Sequence, residues 1–172
     1  MIAGVRGFTD YFEGVRRRTV GFFRALPPER MDWSPKVGEY TAGDIIRHVA
    51  ACEPMFVGAA LDRPWRYAGH ERERGATLEQ ALAYLQACHA MAGELLAAAD
   101  DGALAAVVPS LEPGARPIKA WRLLMAMTEH EVHHRSQLAS YLTWMGVEAP
   151  DVFGLGVEDV MRLTAEPAGR PA

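Results

Sequence analysis

Residues 130–138 read HEVHHRSQL, three histidines and a glutamate in one short stretch. Side chains four positions apart stack on one helix face, so His130 and His134 can direct two imidazoles at one ion. Imidazole is a good ligand for zinc, nickel, iron or copper. HEVHH also satisfies H-E-x-x-H, the zinc-protease spacing, in which Glu131 would be the general base and Glu158 or Asp159 a third ligand. Three features count against a protease. The stretch continues through Gln137 and Leu138 instead of through the glycine and histidine of the longer motif. No convincing period-two strand offers an edge for an extended peptide, although residues 105–111 can be extended. His48 would also be left without a role.

The elements that must carry these residues follow from hydrophobic spacing. Phe8, Phe12, Val15, Thr19, Phe22 and Leu26 recur at steps of three and four, predicting a helix over about 5–26 that Pro27 and Pro28 end. Thr41 with Asp44 resembles a capping box opening a second helix, whose inward stripe runs Ile45, His48, Val49, Cys52, Phe56 and Ala59. The stretch 63–75, RPWRYAGHERERG, reads as a long exposed connection that could cover a pocket. A third helix starts at the Thr77 cap, carries Leu78, Leu82, Leu85, His89 and Leu96, and stops at the DDG of 100–102. A fourth spans about 118–145 before Gly146, and a short fifth falls near 157–163. The expectation is an all-α, up-down-up-down four-helix bundle with a short C-terminal helix: one domain over 1–166 and a flexible tail at 167–172.

With His130 at zero and about 100° per residue, His134 falls near about +40°, within the stripe of Leu123, Met127, Leu138, Tyr141 and Met145. His133 falls near about −60°, at the stripe's edge, and is the weaker ligand candidate. His48 supplies a third inward imidazole from another helix; its plainer reading is a hydrogen-bonded core residue. Burying several histidines with no metal or carboxylate partner would leave polar nitrogens unsatisfied. His89 reads as structural or pocket-lining, and His70 as solvated. The methionines read as core filling and Arg16, Arg17 and Arg18 as a solvated face.

The chain has 172 residues, enough for one substantial core, and a net charge of −4 that disfavours nucleic acid as a partner. Cys52 and Cys88 stand far apart and outside any C-x-x-C pair, which argues against a disulfide framework or zinc ribbon and fits a reducing cytoplasm. The first residues lack the pattern of a signal peptide, and no apolar run is long enough to span a membrane.

Three segments carry a family resemblance: DWSP at 32–35, TAGDIIRHVAACE at 41–53 and HEVHHRSQLASYLTWMGVEAP at 130–150. The last is similar to the H-x-x-H-H-R-G-Q pattern of the DinB-like family, helical bundles that include YfiT-type metal-dependent hydrolases and thiol-dependent S-transferases. Ser136 departs from the glycine frequent at that place, which affects local packing and removes no ligand.

By position, the resemblance implies metal ligands at His48, His130 and His134, the trio that the helical wheel also favours, with His133 in a supporting role. It implies a divalent transition metal, zinc or nickel, a small-molecule substrate, a low-molecular-weight thiol as cosubstrate, and a homodimer. Three histidines leave an open position at which a water or thiol can be activated. Glu53 and Glu131 are candidate acid/base groups and Asp44 a candidate to orient His48, each with a solvated or capping role as the plainer reading. Trp65, Arg66 and Tyr67 are candidates for a substrate lid, against the plainer reading of a surface loop. A noncatalytic, stress-associated metal-binding protein is the alternative to an enzyme.

Overall fold

The computed structural model describes residues 4–112 and 114–165, so the tail expected at 167–172 lies outside the described residues. Among the described residues the chain forms four long helices, α1 (Val5–Ala25), α2 (Ala42–Ala60), α3 (Leu78–Ala97) and α4 (Ala120–Trp144), and a short α5 (Val157–Thr164). Two two-residue strands, β1 (Val107–Val108) and β2 (Ile118–Lys119), pair antiparallel in the connection before α4, so part of the stretch read as extended is indeed so.

The helix starts follow from their caps. Thr41 accepts from the Asp44 amide while the Asp44 carboxylate accepts from the Thr41 amide, and Thr77 with Gln80 repeats the device at α3. Gly146, at φ +76°, turns the chain just beyond α4 at a conformation that costs other residues strain.

The core sorts into two apolar clusters, one at each end. Phe22 and Phe23 from the end of α1 and Leu26 just beyond it meet Ile45 and Ile46 from the start of α2, Leu85 from the first half of α3, and Leu138 and Leu142 from the end of α4. At the other end, Val5 and Phe8 from the start of α1 meet Val57 and Ala60 from the end of α2, Leu96 from the end of α3, and Leu123 and Leu124 from the start of α4. The chain is thus an all-α four-helix bundle, but α2 and α3 run parallel. Its directions are up-down-down-up, which corrects the order expected for α3. The physical reason is the connection at 61–77. The 19 residues of α2 rise about 28 Å, a distance that this segment, extended, can retrace with chain to spare.

Anchors along the connection show that it does so. Trp65 packs edge-on against Phe56, and Tyr67 reaches His48 a little over two turns earlier on α2. The guanidinium of Arg47, fully buried, donates to the carbonyls of His70 and Gly75 at 2.8 and 2.7 Å and pairs with Asp44.

Between the apolar clusters lies a polar layer. Arg16, Glu53 and Glu131, respectively 4, 3 and 2% exposed, sit there with His89. One Arg16 nitrogen, Nη2, donates to Glu53 at 2.7 Å and forms an ion pair with Glu131 at 2.8 Å. His89 bridges Glu53 and Glu13 through its two ring nitrogens at 2.7 and 2.9 Å. Arg16 is therefore a buried counter-ion and not part of a solvated face. Periodicity failed at this position because a charged residue on an inward stripe looks like the stripe's edge until its carboxylate partners, on two other helices, are known.

Candidate metal centre

Antiparallel neighbours α2 and α4 each present an i, i+4 pair toward the other: His48 with Cys52, and His130 with His134. His48 Nε2 lies 3.0 Å from His130 Nε2, and His134 Nε2 lies 3.2 Å from the same atom. Thus the structure brings together all three of the histidines singled out in the sequence. His133 is exposed, with its ring beside that of His134.

Cys52, buried and free, adds a donor that the sequence reading did not single out. Its Sγ lies 3.6 Å from His48 Nε2 and 3.8 Å from Nδ1. His48, Cys52 and His130 offer ligand atoms that all lie within 4.8 Å of one another; His134 stands outside that group and joins it through His130. A signal was present, since Cys52 follows His48 by one helical turn on the inward stripe.

The rings are held in ligand-ready form. Burial, then the proximity of His134 and His70, pulls the pKa of His48 down to about 4. Burial and the neighbouring His134, His48 and His133 pull His130 down to about 3, and burial lowers that of His134 against the opposing bond to Gln137. All three are neutral at pH 7. Burial pushes the Cys52 thiol up to about 12, so with no cation beside it the sulfur keeps its proton.

A relay fixes the proton on His134. The Tyr141 hydroxyl donates to the Tyr40 carbonyl at 3.1 Å, so it accepts from the Gln137 amide nitrogen at 3.2 Å. That orientation turns Gln137 Oε1 toward His134 Nδ1, 2.9 Å away, and an amide oxygen can only accept. His134 thus carries its proton at Nδ1 and leaves a lone pair at Nε2. On the opposite side the Tyr67 hydroxyl lies 2.8 Å from His48 Nδ1 and 2.6 Å from His70 Nδ1. The phenol has one hydrogen, so one of these imidazoles donates to it.

His70 is therefore part of the centre's surroundings and not simply solvated. Its ring packs 4.9 Å from Tyr40 and 5.7 Å from His48, after a turn at Gly69 with φ +93°. The return connection covers this side of the cluster, and Tyr67, named as a lid candidate, touches a histidine directly.

The carboxylates fall elsewhere. Glu53 and Glu131, the acid/base candidates, are bound to Arg16, on the side of the polar layer that faces α1. Burial raises the Glu131 pKa, with Arg16 opposing. Asp44 is a cap and an Arg47 partner, as its plainer reading held. His89 is structural, bridging Glu53 and Glu13.

The donor set fits a divalent transition ion. Tetrahedral zinc sites with bonds of about 2.0–2.1 Å to nitrogen place their nitrogens about 3.3 Å apart, close to the separations of His48 Nε2 and His134 Nε2 from His130 Nε2. His134 turns its Nε2 lone pair toward His130, and a neutral His48 or His130 can do the same in the tautomer protonated at Nδ1.

Comparison with known proteins agrees with the fold. The family model described as the DinB superfamily matches residues 11–138. Among solved structures, a DinB-like protein from Bacillus cereus ATCC 10987 superposes with a TM-score of 0.68 at 18% identity, covering 88% of this chain and 99% of that one. At that identity the likeness concerns the fold. No curated protein matches the chain. With the family model spanning well over half its length, the chain belongs to the DinB superfamily.

Proposed function

We propose that this protein is a metal-dependent enzyme that activates a thiol or a water at His48, His130 and His134, acting as an S-transferase or as a hydrolase of a small electrophile. The observation that carries the reading is the approach of His48 Nε2 and His134 Nε2 to His130 Nε2, at 3.0 and 3.2 Å, from two helices. The ion is zinc or nickel, both well served by imidazole. When bound, such an ion supplies Lewis acidity that brings the pKa of a water or thiol toward neutrality.

The chain's own residues prepare that chemistry. Gln137 holds His134 with its lone pair facing the cluster. Tyr67 does the same for His48 when Nδ1–H donates to the phenol oxygen and the phenol donates to His70. Tyr40 packs against His48 and stacks on His134, shielding them from bulk water. Glu53 and Glu131 are bound to Arg16, and His70 and Tyr67, which lie against His48, are the groups proposed to move a proton. A low-molecular-weight thiol is the proposed cosubstrate, a homodimer the proposed assembly and the cytoplasm the proposed location. No described helix is long and apolar enough to cross a membrane.

One observation favours a second reading. The nearness of buried Cys52 would suit a closed site that serves stability without catalysis.

Elemental analysis of tag-free protein purified without chelator tests the proposal, comparing the native chain with His48→Ala and His134→Ala. About one equivalent of transition metal, lost in both variants, is expected. Folded native protein that takes up no metal on reconstitution would overturn it. Thiol-dependent turnover of electrophiles lost in His134→Ala separates the enzyme from the structural site.

A further inference from the structure

We infer that Cys52 is a ligand of the same ion, so that the centre draws on a thiolate as well as on imidazoles. This rests on the metal reading above and goes beyond its three-histidine set; with Cys52 bound, a water or thiol would enter as a fifth ligand, an expansion that catalytic zinc allows.

Three observations converge. Cys52 lies one turn after His48 on α2, as His134 lies one turn after His130 on α4, so each helix offers two donors on a single face. The sulfur is nearer to Nε2 of His48, which faces the other histidines, than to Nδ1, which faces Tyr67. The Sγ to Nε2 distance of 3.6 Å also matches tetrahedral zinc, whose bonds of about 2.3 Å to sulfur and 2.0–2.1 Å to nitrogen place those atoms about 3.6 Å apart. Cys88, the other cysteine, lies near Tyr84 and the Arg16 network instead.

Binding would exchange the thiol proton for the metal: the S–H bond breaks, the proton leaves to solvent and the sulfur lone pair forms the metal bond, with no change of oxidation state. A thiolate donor shifts preference toward soft or borderline ions such as zinc and cobalt, and away from magnesium or manganese.

The test is titration of the metal-free native chain with cobalt(II), read by electronic spectroscopy, beside Cys52→Ser, Cys52→Ala and Cys88→Ala. The expected result is a near-ultraviolet thiolate-to-cobalt charge-transfer band in the native chain and in Cys88→Ala, absent from both Cys52 variants although they still bind cobalt through histidine. Cobalt bound to the native chain without that band would overturn the role of Cys52 and leave the three-histidine centre standing. Failure of the folded native chain to bind cobalt or zinc would overturn both. Should neither Cys52 variant fold, alkylation mapped by mass spectrometry on denatured-quenched native protein decides: zinc must slow modification of Cys52 and not of Cys88, and equal rates with and without bound zinc reject the ligand.

Discussion

The Tyr67 hydroxyl lies 2.8 Å from His48 Nδ1, so a residue of the return connection holds an imidazole of α2 from behind. Groups in that position fix the tautomer and ring angle of a metal-binding histidine. Tyr67→Phe should therefore weaken metal binding about 10–100-fold, with little change in fold. Competition with a chelator of known affinity measures this, beside circular dichroism, and unchanged affinity would remove Tyr67 from the centre.

Metal-free protein should lose stability on mild acidification. His48 and His130 titrate near about 4 and about 3 in the folded chain, against 6.5 for an unperturbed histidine, and His134 is shifted the same way. In that window the unfolded chain binds more protons, so stability is greatest above pH 6.5 and falls as pH drops toward 4. Urea midpoints of chelated protein at pH 7 and pH 5 check the sign, and His130→Ala should flatten the slope.

His89 runs the opposite way. The bond to Glu53, opposed by burial, raises its pKa, so its contribution is fully present below pH 6.5 and is lost as pH rises through the folded value. Relative to the native chain, His89→Gln should be destabilised more at pH 6 than at pH 9. Equal deficits would mean that its bonds to Glu53 and Glu13 do not depend on its charge.

Removing one member of the buried ionic group should be costly without emptying the metal site. Glu131→Ala leaves Arg16 with Glu53 as its carboxylate partner inside the core, a change that costs about 3 kcal/mol. Denaturant unfolding should show that loss while metal stoichiometry in the folded variant stays unchanged. Loss of metal from folded Glu131→Ala would return the glutamate to the centre.

Arg47 ties the return connection to α2 through the carbonyls of His70 and Gly75. Arg47→Met should release residues 63–75 to limited proteolysis and destabilise the chain by about 3 kcal/mol. Cleavage sites mapped by mass spectrometry locate the effect.

Much of this protein was legible in the sequence. Helix positions followed from apolar spacing and from Thr41 and Thr77, because caps and periodicity act within a few residues. His48, His130 and His134 could be gathered because each lies on an inward stripe, and a stripe has a single core to face. The tertiary structure decided what depends on partners distant in the chain. The parallel run of α2 and α3 rests on a connection retracing α2, and length alone permits that path without requiring it. The bonds of Arg16 with Glu53 and Glu131 join three helices, and those of Tyr67 with His48 and His70 depend on where the connection lies. Local spacing determines which face a side chain is on; only packing determines what stands opposite it.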